Sequence, residues 1–446
     1  MADWNAALTD WLKPFVGKLG HKRRRQMCPL YVAGLIGPGD RKSIEPMAAR
    51  FAPEHYDRLH HFISDGVWET APLEEELALQ AEKLVGAADA FLVIDDTSLP
   101  KKGNHSVGVA PQYASMLGKR ANCQTLVSLT LARDEVPVVV GLRLFLPESW
   151  TGDPSRMARA GVPEPFRDAR SKPEMALEEI DRLMAAGVRF GTVLADAGYG
   201  LSAPFSQSLS ARALTWAVGI PKHQKVYPAN VSLIFPVAGR GRPRRNQIPD
   251  MLSVPAENIL STAPWKKVSW RRGTKGSLSA RFAALRIRIA DGQPQRILDK
   301  GQQHMPGEEA WVVGEWRSSG ERKYYLSNLP ANTSLKSLAA AIKARWVCEQ
   351  AHQQMKEELG LDHFEGRSWQ GLHRHALMTM IAYAFLQHQR LQQAKREKKK
   401  ERGATAADHA SHSAPGHQGT ISKTALPAMP ALQNASPAVT QMNLPK

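Results

Sequence analysis

The sequence predicts an α/β protein built on one mixed sheet, preceded by helices and interrupted by a β-rich insertion. Three observations carry this expectation. Strand-like runs begin only near residue 90, they then alternate with amphipathic helical stretches, and a second group of strand-like runs precedes two closing helical segments. With 446 residues the chain exceeds the size at which single cores stop growing, so two or three units are expected.

Residues 1–88 read as a helical unit that binds DNA. In "RKSIEPMAARFAPEHYDRLHHFISDGVW", Ile44, Met47, Ala48 and Phe51, then Tyr56, Leu59 and Phe62, recur at helical spacing around a break at Pro53. Two short helices about a tight break suit a helix-turn-helix reader, and "GHKRRR" at Gly20–Arg25 supplies a cationic arm. An ordinary helical bundle with a solvated basic run fits this segment equally well.

Residues 89–221 change period. "FLVIDDT", "NCQTLVSLTLARD" and "VPVVVGLRLFLP" are β-rich, with a hairpin expected at the short "DEVP" break. The amphipathic "KPEMALEEIDRLMAAG" follows, with Gly187 as its C-terminal cap; then come a strand ending "VLADAGYG", a helix around "APFSQSLSAR" and the strand "LTWAVGIP". Three strands, helix, strand, helix, strand is the order of a ribonuclease H-like mixed sheet. Residues 222–329, with "RFAALRIRIA", "AWVVGEWR" and "KYYLSNLP" between basic loops, read as a β-rich insertion. Residues 330–392 return to the core with two helices, the first running from a Thr333/Ser334 cap to Gly360. Residues 393–446, basic and then rich in Ala, Ser, Pro and His, are expected to be disordered. No internal repeat is visible.

Composition narrows the partners. Lys and Arg number 59 against 42 Asp and Glu, a formal net charge of +17 with pI near 9.8. That excess points to a polyanion, and nucleic acid releases counterions when it is neutralised. Cys28, Cys123 and Cys348 are far apart with no C-x-x-C, which excludes a zinc ribbon and a disulfide framework and suits a reducing compartment. No apolar leader and no run of about 18 apolar residues occurs, so a cytoplasmic, nucleoid-associated protein is expected, not an exported or membrane one.

Three acidic positions suggest chemistry. Asp95 and Asp96 end the first strand, and Asp196 ends the fourth, at the carboxyl edge where open α/β sheets bind ligands. Glu349 lies on the first closing helix. At about 100° per residue, Leu338, Ile342, Trp346 and Glu349 fall within about 80°, so the glutamate is expected on the core-facing stripe, flanked by Arg345, His352 and Lys356. Acids converging on one edge suit two divalent cations about 3.5–4 Å apart, which polarise a phosphodiester and stabilise the leaving oxygen. Magnesium is the expected metal, with manganese able to substitute; zinc lacks its Cys/His spacing. Singly, each acid has a plainer explanation: turn or cap residues for the aspartates, and a solvated i,i+4 pair with Arg345 for Glu349.

"RWVCEQAHQQMK" carries Arg345, Glu349 and Lys356 at the R-(3)-E-(6)-K spacing of the YREK signature, and here the sequence resembles the bacterial insertion-sequence DDE transposases. "IDDTSLPKKG", "SVGVAPQYA", "ANCQ", "LADAGYG", "WRRGTKG", "YYLSNLP" and "GLDHFEGRSWQG" resemble companion blocks of one branch, over roughly residues 24–389. The signature's tyrosine position holds Ile342.

The resemblance implies a ribonuclease H-like core with Asp96, Asp196 and Glu349 as catalytic, metal-binding triad, and Asp95 as a helper. It implies that Arg345 and Lys356 contact phosphates. Arg271, Arg272 and Lys275 of the insertion are expected on DNA, as are Lys101 and Lys102 beside the metals. Trp265, Trp270 and Trp316 are candidates for stacking on an extruded base, or for packing within the insertion. The implied activity is DNA cleavage at insertion-sequence ends, then strand transfer of the freed 3′-hydroxyl into target DNA, by a homodimer holding two ends. A nuclease without strand transfer, or an inactive DNA-binding derivative, stands as the alternative. "HRH" at His373–His375 lacks a third metal ligand, His352 is a candidate contact to DNA or the leaving group, and Cys348 is expected to turn away from the acids.

Overall fold

A computed structural model describes residues 2–114, 117–235, 246–273, 276–294 and 303–411. Five helices open the chain: α1 (Ala2–Gly17), α2 (Lys22–Ile36), α3 (Ile44–Phe51), α4 (Tyr56–Ser64) and α5 (Ala71–Val85). The run expected as a cationic arm instead forms the first turn of α2, where His21 Nδ1 accepts from the Arg23 amide and caps the helix. Leu12, Phe15, Tyr31, Phe62 and Leu77 of these helices share one continuous apolar core with Leu92, Ile94 and Leu131 of the sheet.

The core begins with β1 (Phe91–Pro100), β2 (Ala110–Ala114), β3 (Lys119–Arg133) and β4 (Val136–Leu144). Asp134 and Glu135, with φ of 49° and 64°, make the two-residue hairpin turn between β3 and β4. Positive φ at both central residues matches the strands' right-handed twist. The chain continues with α6 (Glu148–Thr151), α7 (Pro154–Arg159), α8 (Lys172–Ala185), β5 (Thr192–Ala195), α9 (Ala197–Gly200), α10 (Ala203–Ala211) and β6 (Thr215–Ile220). A capping box of Ser171 and Glu174 starts α8, and Gly187 at φ +77° follows its end. The strands lie in the order β4-β3-β1-β5-β6, with β1, β5 and β6 parallel and β3 antiparallel to both neighbours. This is the ribonuclease H-like topology.

The insertion contributes β7 (Lys225–Pro228), β8 (Leu233–Ile234), β9 (Ile248–Pro249), β10 (Val254–Pro255), α11 (Ala256–Ile259), β11 (Lys266–Gly273), β12 (Gly276–Ile289), β13 (Glu309–Trp316) and β14 (Arg322–Ser327). Apart from the small β8-β9 pair, these strands extend the core sheet: β14 pairs antiparallel with β6, and β13, β12 and β7 follow outward.

Three helices close the described chain: α12 (Leu335–Ala344), α13 (Trp346–Glu357) and α14 (Trp369–Ser411). Ser334 caps α12 as expected, but the helix does not run on to Gly360. It breaks at Arg345, where the Cys348 amide donates to the Arg345 carbonyl at 3.2 Å, an i→i+3 step that shifts the helical phase. Helix also replaces the expected disorder over residues 393–411, where Lys, Arg, Glu and Gln all favour helix; residues 412–446 lie outside the described residues.

Candidate active site

Register decides which acids meet. The parallel pairing of β1 with β5 ends at Ile94 opposite Ala195, so Asp95 and Asp196 stand one residue beyond it, side by side. Val93 and Leu194 pack in the same apolar cluster as Leu338, Ile342, Val347 and Cys348 of α12 and α13. Side chains alternate along a strand, so Asp95 and Asp196 project on that helix-covered face, while Asp96 projects with Ile94 on the opposite one. The contacts agree. Asp95 Oδ2 accepts from Arg345 Nη1 at 2.5 Å and from Cys348 Sγ at 3.2 Å, whereas Asp96 accepts from the Tyr199 hydroxyl at 2.7 Å and from Lys172 Nζ. In this structure the acid beside Asp196 is Asp95, whereas Asp96, the expected ligand, lies on the back face.

The loop carrying Asp196 is built on small residues. A Cβ on Gly200 would meet the Gly219 carbonyl at 1.9 Å, so the "DAGYG" turn fits against β6 only because glycine stands there. Asp196 Oδ1 accepts from the amides of Gly198 at 2.9 Å and Tyr199 at 3.3 Å, the turn role its sequence context allowed. Tyr199 is buried beneath, and burial together with the Asp96 charge holds its phenol well above its ordinary pKa.

Glu349 departs from its expected place. It is 60% exposed and accepts from Arg345 Nη2 at 2.8 Å, the i,i+4 pair. The helix is interrupted at Arg345, and α13 buries Val347, Cys348, Ala351, His352 and Met355, a face that leaves Glu349 outside. Arg345 thus bridges Asp95 and Glu349. Cys348 is likewise turned toward the acids, not away. Its thiol is pushed well above its ordinary pKa, by burial first and then by Asp95, which disfavours the thiolate. Burial is also the main cause that raises the Asp95 carboxyl; Arg345 opposes the rise and the Asp196 charge adds to it.

Most of the expected cations are committed to structure. Lys101 Nζ donates to the carbonyls of Phe364 at 2.7 Å and Asp362 at 3.3 Å, so it clamps a loop instead of facing phosphate. Lys356 is buried, and its ammonium is drawn below its usual range chiefly by desolvation. Arg271 lies 3.8 Å over the Trp346 ring and 3.4 Å from Glu135, tying β11 to α13. Lys102 and Arg272 are exposed, and Lys275 lies outside the described residues. Trp265 and Trp316 meet edge to face at 6.0 Å, and Trp270 meets Phe282 at 5.8 Å, which is packing within the insertion. His352, a candidate contact to DNA or the leaving group, is buried with Nε2 2.7 Å from the Ser128 hydroxyl, and burial lowers its pKa to about 3.

Residues that sequence reasoning passed over include Tyr199 and Lys172, which hold Asp96, and the half-buried Arg143. Arg143 bonds Glu74 of α5 at 2.8 Å and Glu179 of α8 at 2.7 Å, joining the N-terminal helices to the core. The "DAGYG" block was the available signal for Tyr199; nothing local marks Arg143.

Over residues 14–277, more than half its length, the sequence matches the family described as DDE superfamily endonuclease. The chain belongs to that family. In this DDE chain residues 171–385 also match the description "Transposase DDE domain". A curated relative from Microchaete diplosiphon, "Probable transposase for insertion sequence element IS701", is 32% identical over 173 residues, 38% of this chain and 41% of that protein. The chain thus matches about two fifths of that relative's length. Among solved structures, a piggyBac transposase synaptic complex with hairpin DNA aligns at 10% identity and TM-score 0.36, over 81% of this chain and 64% of that one. The NurA nuclease from Sulfolobus solfataricus aligns at 11% identity and TM-score 0.25, over 68% and 88%.

The family implies a divalent cation, and the donors present can be tested for it. Among the described residues no group of three or more His, Cys, Asp or Glu side chains is gathered closely enough to hold a metal ion. Asp95 and Asp196 nevertheless offer only hard oxygen donors from adjacent strands. These two carboxylates are of the donor type that magnesium takes, while Glu349 is paired with Arg345 in this structure. Among the described residues no helix is long and apolar enough to cross a membrane.

Proposed function

We propose that this chain is an insertion-sequence transposase that cuts DNA at the ends of its element and joins the freed 3′-hydroxyl to target DNA. The observation that carries the reading is the pairing of Asp95 with Asp196 on one face of a ribonuclease H-like sheet, beneath the helix that bears Arg345 and Glu349. Asp95, Asp196 and Glu349 would hold two magnesium ions, which supply Lewis-acid polarisation of the phosphodiester and acidify water. Asp95 is kept from solvent and oriented by Arg345 and by the Asp96 amide. Tyr199 and Lys172 fix Asp96, and through it the middle of β1. Arg345, engaged with two acids here, would turn its guanidinium to the scissile phosphate when DNA arrives.

Both steps are in-line displacements at phosphorus without a covalent protein intermediate, so one site serves cleavage and strand transfer. In the DNA complex the protein would act as a homodimer, one subunit per end, at the nucleoid. The test is incubation of the purified protein and magnesium with a supercoiled plasmid carrying the element's terminal repeats. Cleavage at the repeat ends with insertion products is expected. Cleavage without insertion would reduce the protein to a nuclease, and DNA binding with no cleavage in magnesium or manganese would leave an inactive derivative.

A further inference from the structure

We propose that the groove between the N-terminal helices and the core binds the phosphate backbone of duplex DNA. The inference rests on the reading above and adds a surface that none of Asp95, Asp196 or Glu349 lines. The groove has a volume of about 800 Å³. One wall is α3, α4 and the Arg41–Lys42 turn; the other is α6, α7 and the 363–368 segment. That segment belongs to the "GLDHFEGRSWQG" block, which the acid site does not use.

Five cationic side chains and three carboxylates line the groove. Arg41 already neutralises Glu365 across it, and Lys42 donates to the Gly37 carbonyl. Arg159 and Arg367 remain, both exposed on the α7 side, and no ion pair engages either among the described residues. Arg156, one turn before Arg159, is pre-ordered. Its guanidinium lies 3.9 Å over the Trp150 ring and donates to the Asn104 carbonyl at 2.8 Å, so less side-chain freedom is lost when phosphate binds. Planar guanidiniums on an exposed rim are the groups that meet phosphate oxygens in pairs.

The wall is rigid enough to act as a track. The Phe364 ring stacks on His375 with centroids 5.6 Å apart, and a Cβ on Gly366 would meet that ring at 2.2 Å, so the segment closes tightly over it. Lys101, on the residue after β1, holds the Asp362 and Phe364 carbonyls. A duplex gripped by Arg156, Arg159 and Arg367 is therefore referenced through one side chain to the strand that carries Asp95.

The experiment measures binding without cleavage: fluorescence anisotropy of a labelled duplex of about 30 base pairs in EDTA, over a salt series. The double variant Arg159→Glu/Arg367→Glu should bind about 10-fold or more weaker, and the slope of log K against log salt should fall by about 2, one per lost phosphate contact. Arg159→Gln/Arg367→Gln should show the same slope change with a smaller affinity loss, at a thermal midpoint equal to that of the parent. An unchanged slope in both variants would overturn the groove assignment while leaving the transposase reading intact. Parent protein that fails to bind the duplex at low salt would overturn both.

Discussion

Asp95 and Asp196 are neighbours across two parallel strands, one residue past the last backbone pair, and they share the face covered by α12 and α13. Asp96 faces away, satisfied by Tyr199 and Lys172. Asp95→Asn and Asp196→Asn should therefore each lower plasmid cleavage by about 10²-fold or more, the order lost when one electrostatic element of a preorganised site is removed. Asp96→Asn, which keeps an acceptor for the Tyr199 hydroxyl, should lose less than about 10-fold. Rates from gel-resolved nicking in magnesium check the order, and a larger loss for Asp96→Asn than for Asp95→Asn would reverse the assignment.

Arg345 compensates a buried charge, so its removal should be felt first in stability. Arg345→Ala leaves Asp95 without its cation and should destabilise the fold by about 3 kcal/mol, the order for breaking a buried pair. Adding Asp95→Asn should restore most of that loss, because the neutral amide needs no counter-charge. Urea unfolding of the two single variants and the double variant closes the cycle; additive losses would show that the pair is not coupled.

His373 and His375 predict a pH response of the fold. Both are wholly buried, and desolvation is the first cause that lowers each pKa to about 4. His375 Nε2 donates to the Gly360 carbonyl at 2.9 Å while Nδ1 faces the Tyr31 hydroxyl at 2.8 Å, a pattern that uses the neutral ring. The unfolded chain binds these protons near pH 6.5 and the folded one near pH 4, so stability is full above about 6.5 and is lost as pH falls toward 4. Each ring contributes up to about 1.4 kcal/mol per pH unit within that window. Unfolding free energies between pH 4.5 and 7.5 should show the slope, and His375→Gln should reduce it.

Lys101 is a clamp in this structure, and its loss should loosen a particular loop. Lys101→Met removes two donations to the carbonyls of Asp362 and Phe364, worth about 1–3 kcal/mol for a charged donor. Amide hydrogen exchange should rise in residues 361–368 before it rises in β1. Uniformly faster exchange across both would mean that Lys101 supports the whole core instead.

What was legible in the sequence was local. The Asp134–Glu135 hairpin, the glycine after α8 and the Ser334 cap are each set by neighbouring residues, and they delimit the strands and helices whose order specifies a ribonuclease H-like sheet. The choice between Asp95 and Asp96 was not legible because β1 is apolar on both faces: Val93 and Ile94 are both fully buried, in different clusters. Pattern alone cannot assign a face to a strand covered on both sides. The position of Glu349 was lost for a different reason, since the helix is interrupted at Arg345. The pairing of β14 with β6 spans more than a hundred residues of sequence and leaves no periodic trace. Arg143 and His375 read as surface residues by type, and only their buried partners explain them.

The bond between β14 and β6 has a mechanical consequence. An insertion joined to its host by two loose connections can swivel; one whose strands continue the host's own ladder is a cantilever. Pulling on β12 or β13 loads β6 and β5 in turn, and Asp196 is the residue that follows β5. Arg271 on Trp346 braces the same beam against the helix of Glu349. A load on the far edge of this sheet would reach Asp196 through continuous strands and the helix of Glu349 through Arg271, with no hinge between.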